Sequence, residues 1–233
     1  MKQQLSAIAE DVWGAETEIA IGLGMKLPLR MTVLRDRAGL TLISPIEING
    51  ALQRELLEEG PVHTLIGPNR LHYRYLEQAK KLFPHAQLLG APGLAEKCPH
   101  LDFDATLSSG ELSAKLSSHL IRGAETLSEV AFFHQPSGTL VVTDLVFNIH
   151  QANTPTKWLL QLLSRAYGKV EQSRLCRTMT SDRKATAQDI DQLLSLPFER
   201  VVPAHGEVFE TRARQELSAG LWWMRGQSRR PTV

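Results

Sequence analysis

The stretch Val62-His63-Thr64-Leu65-Ile66-Gly67-Pro68-Asn69-Arg70-Leu71-His72 constrains this chain more than any other. Val62 to Ile66 reads as a short buried strand. Gly67-Pro68-Asn69 stops it, because proline removes a backbone donor and glycine and asparagine tolerate turn geometry. Leu71, Tyr75, Ala79 and Leu82 then recur at helical spacing, which predicts a helix with His72 in its first turn. A strand, a tight turn and a helix opening place side chains at the carboxyl edge of a sheet, where α/β proteins build their sites.

The flanking sequence repeats this grammar. Asp11 to Ile21 is mixed, with Trp13 as a core anchor. Leu29 to Arg35 and Leu40 to Ile43 read as a hairpin around Asp36-Arg37-Ala38-Gly39. Asn49 caps a helix running to about Glu58. Gln87-Leu88-Leu89 is a further strand, and Pro92-Gly93-Leu94 opens a short helical piece. Asp102 to Lys115 shows no clear period. Ser117 to Arg122, Leu127 to His134 and Thr139 to Thr143 form an antiparallel meander ending at Asp144. Helices are expected from Thr156 to Tyr167, with Trp158, Leu159, Leu162 and Leu163 apolar, and from Thr186 to Leu194. Arg200 to Ala204 is the last strand, followed by His205-Gly206 and a helix from about Phe209 to Met224. Both halves run from strands to helices, which predicts two packed sheets with helices outside, a four-layer αβ/βα sandwich in one domain spanning residues 1–233.

Composition narrows the function classes. Lys+Arg 26 against Asp+Glu 25 leaves no basic field for nucleic acid or an anionic membrane. Cys98 and Cys176 show no C-x-x-C pairing and read as free thiols of a reducing compartment. Met1 to Glu10 is too polar for a signal peptide, and no apolar run approaches the ~20 residues of a membrane span. A cytoplasmic protein is the expectation. Trp222 and Trp223 are adjacent and point to different helix faces. One of them is expected to be exposed or in a contact, such as an interface in a homo-oligomer.

Polar residues close four strands, at Ser44, Gly67 to His72, Asp144 and His205. Their order and spacing resemble the metallo-β-lactamase fold. In that superfamily a central strand ends in H-x-H-x-D-H, a meander strand ends in a metal-bridging Asp, and the last strand ends in a His, often as His-Gly. Leu140-Val141-Val142-Thr143-Asp144 and Val201-Val202-Pro203-Ala204-His205-Gly206 match the last two. Pro68 to His72, Phe83-Pro84-His85-Ala86, Ala91-Pro92-Gly93-Leu94 with Lys97, Ser128 to His134 and Thr139 to Asn148 resemble a degenerate branch that shares an altered first motif. The branch carries no established activity over.

Aligned on His72, the motif's first His becomes Gly67, its second Asn69 and its Asp Leu71. No counterpart of the middle His lies near Arg122-Gly123-Ala124-Glu125. The resemblance therefore implies that one of two metal sites is lost and that His72, Asp144 and His205 remain of the other. Two imidazoles and a carboxylate with an open position are a legitimate set for one divalent metal ion, Zn, Fe or Mn. Each His would need its second ring nitrogen held by a partner. Loss of half the ligands favours a metal-free module that binds a small molecule or a partner. The alternative is a mononuclear hydrolase of an ester, thioester or phosphoester. Asn69, in the place of a lost ligand, and His134, at a strand end, are candidate ligand-binding residues. Glu129 reads as a solvated or bonded strand residue, His150 as part of a polar loop, Asn148 to Thr154, over the pocket, and Arg30 as a surface or structural ion pair.

Overall fold

The computed structural model describes residues 4–158, 160–161, 167–227 and 229–231. Leu159, Leu162 and Leu163 of the helix expected from Thr156 lie outside them. The first seven strands form one sheet in sequence order. They are β1 (Ser6–Ala9), β2 (Val12–Gly22), β3 (Met25–Arg35), β4 (Leu40–Ile43), β5 (Val62–Gly67), β6 (Gln87–Gly90) and β7 (Ala105–Thr106). The β1 to β4 run is antiparallel, and β4 to β7 are parallel. The parallel strands are joined by crossovers through α1 (Gly50–Glu59), α2 (Leu76–Leu82) and α3 (Leu94–Lys97).

The second sheet has the order β12-β11-β10-β9-β8. Its strands are β8 (Gly110–Ser113), β9 (Leu116–Leu120), β10 (Val130–His134), β11 (Thr139–Val142) and β12 (Arg200–Pro203). The meander is antiparallel, and β12 joins β11 in parallel. The two sheets pack through Val12, Leu34, Ile43 and Ile66 from the first and Val130, Phe132, Val141 and Val202 from the second. The first sheet's other face buries Leu52 and Leu56 of α1 and Leu76 of α2. The second sheet's outer face is covered by α6 (Arg183–Ser195) and α7 (Ala213–Gly220), through Ile190, Leu193 and Leu217. This is the four-layer sandwich expected from the sequence.

Several elements differ from expectation. Residues Asp11 to Ile21 form a full strand, β2, in a long hairpin with β3. Its pattern reads as mixed because Glu16 and Glu18 face solvent while small or polar residues, Ala15 and Thr17, share the covered face with Trp13 and Ile19. The helix after β5 begins at Leu76, and His72 sits in the turn before it. Asn69 sets that turn, since its Oδ1 accepts from the amides of Leu71 (2.8 Å) and His72 (2.9 Å). A short helix, α4, covers Thr154–Trp158. Another, α5 (Arg174–Thr178), is capped by Ser173 and had no clear sequence signal.

The last helix starts late because Arg212 takes a left-handed backbone (φ 53°), and Phe209 bridges to Val201 instead. It ends at Gly220, whose Cα packs so closely on Val170 that an added Cβ would lie 3.1 Å from its carbonyl oxygen. Both indoles of the tryptophan pair are half-buried within the chain. Trp222 donates to Glu171 (3.1 Å), and the Arg183 guanidinium lies 4.4 Å from the Trp223 ring centroid. Cys98 and Cys176 are buried free thiols. Among the described residues no helix is long and apolar enough to cross a membrane.

Candidate metal centre

The parallel pairings bring the carboxyl ends of β4, β5, β11 and β12 to one edge of the sandwich. Backbone bonds lock the two sheets together there, from Val130 to the Pro68 carbonyl (2.9 Å) and from Arg30 to the Ala204 carbonyl (2.8 Å). Ser44, Asn69, His72, Asp144 and His205 meet at this edge. Gly206 permits the last step. Its backbone is left-handed (φ 103°) and lies against Asn148 and Ile149, leaving no room for a side chain.

Both imidazoles are oriented from behind. Ser44 Oγ lies 2.7 Å from His72 Nδ1, and the Pro28 carbonyl oxygen accepts from His205 Nδ1 at 2.7 Å. That turns both Nε2 atoms inward, 3.2 Å apart. Asp144 completes the group, with Oδ2 3.2 Å from His72 Nε2 and Oδ1 3.4 Å from His205 Nε2. All three side chains are buried, at 7%, 6% and 3% exposure for His72, Asp144 and His205. Burial opposes ionisation of Asp144, but the two imidazoles outweigh it and hold the carboxyl far below the ordinary range. Burial likewise works against charging His72, yet the adjacent Asp144 carboxylate raises its pKa.

These positions suit a metal. Zinc–nitrogen bonds of 2.0–2.1 Å in a tetrahedron give ligand–ligand edges of about 3.3–3.4 Å. His72 Nε2 lies 3.2 Å from both His205 Nε2 and Asp144 Oδ2, close to such an edge, while the 3.4 Å contact of His205 is to the other Asp144 oxygen, Oδ1, and one ligand atom from each residue falls within 4.8 Å of the others. The three ligands form a possible metal-binding group in which the facing position is open to the cleft. The partners that the sequence left unnamed are Ser44 and the Pro28 carbonyl. No local signal announces either, since both are distant in the chain.

The residues around Asn69 do not suit a second metal. Its Oδ1 is committed to two backbone amides, so its Nδ2 must face the carboxylates. Nδ2 donates to Glu129 Oε2 (2.7 Å) and Asp144 Oδ2 (2.8 Å), and lies 3.0 Å from Thr143 Oγ1. An amide nitrogen placed this way is a donor and cannot be a ligand. Glu129 also accepts from the Thr143 amide (2.7 Å) and hydroxyl (2.6 Å). Of the two readings, solvated or bonded, it is the bonded one, buried at this end of β10, and burial together with Asp144 pushes its pKa up. Position 67 is closed as well. A Cβ on Gly67 would run into Leu94 and approach Leu76 Cδ1 to 2.9 Å, in the core beneath α2 and α3.

The remaining candidates lie elsewhere. His134 is at the far end of β10 from Glu129, its Nδ1 2.7 Å from Ser137 Oγ, and it does not line the cleft. The strand's direction decides this, because Glu129, just before its start, is the residue that reaches Asn69 and Asp144. Arg30 is spent on Glu16 and on the Pro203 carbonyl (2.6 Å). His150 contacts Asn148 (2.8 Å), outside the cleft over the triad. That cleft, about 820 Å³, is lined by residues the sequence did not single out, among them Ile19, Leu27, Phe147 and Leu160, and by Cys176. Burial raises the Cys176 thiol well above its usual pKa, and Asp144 adds to the effect, so it stays protonated.

No family model matches the sequence, and no curated protein does. Solved structures do match over nearly the whole chain. A metallo-β-lactamase from Pontibacter korlensis superposes with a TM-score of 0.68 at 16% identity, covering 97% of this chain and 100% of that one. The chain has the metallo-β-lactamase fold. The enzyme of that name from Hirschia baltica gives a TM-score of 0.64 at 8% identity, with both chains covered completely. FIM-1 from Pseudomonas aeruginosa, in its mono-zinc form, gives 0.63 at 11% identity over 94% of each chain. At these identities the likeness establishes the fold, and a fold hosts many chemistries.

Proposed function

We propose that His72, Asp144 and His205 hold a single divalent cation, and that the chain is a hydrolase acting on an ester, thioester or phosphoester in the cleft above them. The observation that carries this reading is the convergence of both Nε2 atoms on Asp144, with each Nδ1 tied down by its own partner. A site without such a role has no need to orient two buried imidazoles toward one open position. A cation here would polarise the substrate's carbonyl or phosphoryl oxygen and make a coordinated water more acidic. Zn, Fe and Mn all accept this ligand type. The mono-zinc form of FIM-1 is a precedent within the fold for one ion.

The chain's own groups have separate tasks. The Pro28 carbonyl fixes the tautomer and direction of His205, and Ser44 fixes the direction of the His72 ring. Asn69 and Glu129 hold Asp144 from the side where a second ion would otherwise sit. The apolar walls exclude water and position the substrate. A second reading has one observation in its favour. The Asn69 amide occupies the place of the lost ligand and satisfies the carboxylates without a cation. Under it the fold is a metal-free binding module.

Elemental analysis of untagged protein, beside His72→Ala and His205→Ala, decides between them. The expected result is one equivalent of metal in the wild type, lost in both variants, with hydrolysis in an ester, thioester and phosphodiester screen that follows the metal. No metal after incubation with Zn, Mn and Fe(II) overturns the proposal and leaves the binding module.

A further inference from the structure

The cleft over the triad has a polar floor and apolar walls. Ser44, His72, Asp144 and His205 form the floor. Leu27, Leu29 and Ile19, from the β2–β3 hairpin, form one wall. Phe147 and Leu160 pack against Leu27 and continue this apolar lining. At the mouth Ile21, Leu71 and Tyr73 remain substantially exposed, which is unusual for three large hydrophobics at one opening.

Charge is nearly missing from this lining. Among the described residues, Arg74 is the one Lys or Arg that lines the cleft. It lies 5.6 Å from the centroid of its neighbour Tyr75's ring. A site for a phosphate or a dicarboxylate is ordinarily lined by several cations or amide forks. The floor instead ends in a buried carboxylate, which repels an anionic group unless a cation intervenes. A volume of about 820 Å³ holds a ligand much longer than an acetyl group.

We infer that the cleft takes an uncharged compound with a hydrocarbon chain, a neutral carboxylic ester or thioester whose chain lies along the apolar lining of Ile19, Leu27 and Phe147 and whose carbonyl reaches the His72–Asp144–His205 floor. This narrows the proposed substrate to acyl compounds and rests on the single-metal hydrolase reading for its chemistry. On hydrolysis water adds its oxygen to the acyl carbon, the bond from that carbon to the alkoxy or thiol group breaks, and the leaving group takes the proton. The walls themselves need no metal to bind a chain.

The test separates the two claims. Nile red fluorescence reports occupancy of the apolar cleft in metal-free and metal-loaded protein, and methyl decanoate and inorganic phosphate serve as competitors. The expected result is saturable dye binding displaced by methyl decanoate and not by phosphate. Ile19→Glu and Leu71→Glu, at a half-buried and an exposed position, should weaken methyl decanoate by roughly ten-fold or more, since each puts a charge in an apolar contact. Zinc stoichiometry in both variants should equal that of the wild type. In hydrolysis, kcat/KM should rise along 4-nitrophenyl acetate, hexanoate and decanoate, with bis(4-nitrophenyl) phosphate the poorest. Bound zinc without displacement by methyl decanoate overturns the ligand class and spares the metal centre. Displacement without any bound metal supports the ligand class and sinks the hydrolase. Displacement unchanged by either substitution, or preference for the phosphodiester, overturns the inference.

Discussion

Asn69 Nδ2 donates to Asp144 at 2.8 Å and to Glu129 at 2.7 Å, so one amide holds together two buried carboxylates. Its oxygen simultaneously shapes the turn that presents His72. The same residue therefore builds the candidate metal centre and closes the position next to it.

Asn69→Leu keeps most of the volume and removes all these bonds. Two carboxylates and two backbone amides lose their partner in a dry site. The expected loss is about 2–4 kcal/mol of unfolding free energy in urea titration. A loss below about 0.5 kcal/mol, the range of neutral surface changes, would show that the amide is dispensable.

Ser44 combines a left-handed backbone (φ 56°) with the bond to His72. Ser44→Ala loses the bond and keeps the strain, while Ser44→Gly loses both. Metal affinity should fall about 10–100-fold in each, because the imidazole is no longer held. The glycine variant should nevertheless be the more stable of the two by about 1 kcal/mol. Competition with a chromogenic zinc chelator and thermal melts read the two effects independently. Equal affinity in wild type and both variants would remove Ser44 from the centre.

Gly67→Ala places a methyl group against Leu94 and Leu76. Overpacking there should cost about 1–3 kcal/mol. Gly67→His, designed to restore the first ligand of the family's motif, should be less stable still and bind no additional metal. A second equivalent in that variant would mean that the β5 end can turn its side chain toward the site.

Asp11 bonds Arg35 (2.9 Å) and Lys115 (3.3 Å), joining the β1–β2 turn to the second sheet. Burial raises its pKa, but the two cations outweigh this and set it below the usual 3.8. A depressed carboxylate contributes stability above its unfolded pKa and loses it as pH falls through the folded one. Asp11→Asn suits the left-handed backbone at this position (φ 58°) and removes only the charge. At pH 7 it should cost on the order of 0.5–1 kcal/mol, discounted for solvent screening. The gap in urea midpoints should close as the pH drops below 3.8. A gap that is constant from pH 7 to 3 would assign the effect to something other than charge.

Much of the architecture was legible in the chain. Apolar runs closed by Ser44-Pro45, Gly67-Pro68-Asn69, Asp144 and His205-Gly206 mark strand ends, because strand periodicity and turn chemistry are local properties. They place His72, Asp144 and His205 at strand ends or in the turns that follow, where the fold brings them together, while the burial of Glu129 has no local signal. The hairpin strand β2 was obscured by solvent-facing glutamates, and His134 was misplaced because strand direction is a matter of topology. Ser44 reaches His72 across 28 residues, and the Pro28 carbonyl reaches His205 across 177. The closed space at Gly67 and the apolar cleft lined by Ile19 and Phe147 are likewise products of packing. The sequence by itself determined the order of elements and which residues could carry chemistry. Only the tertiary structure decided how each imidazole is aimed, which metal position is blocked and what the cleft can hold, since these depend on contacts between segments that have no local signature.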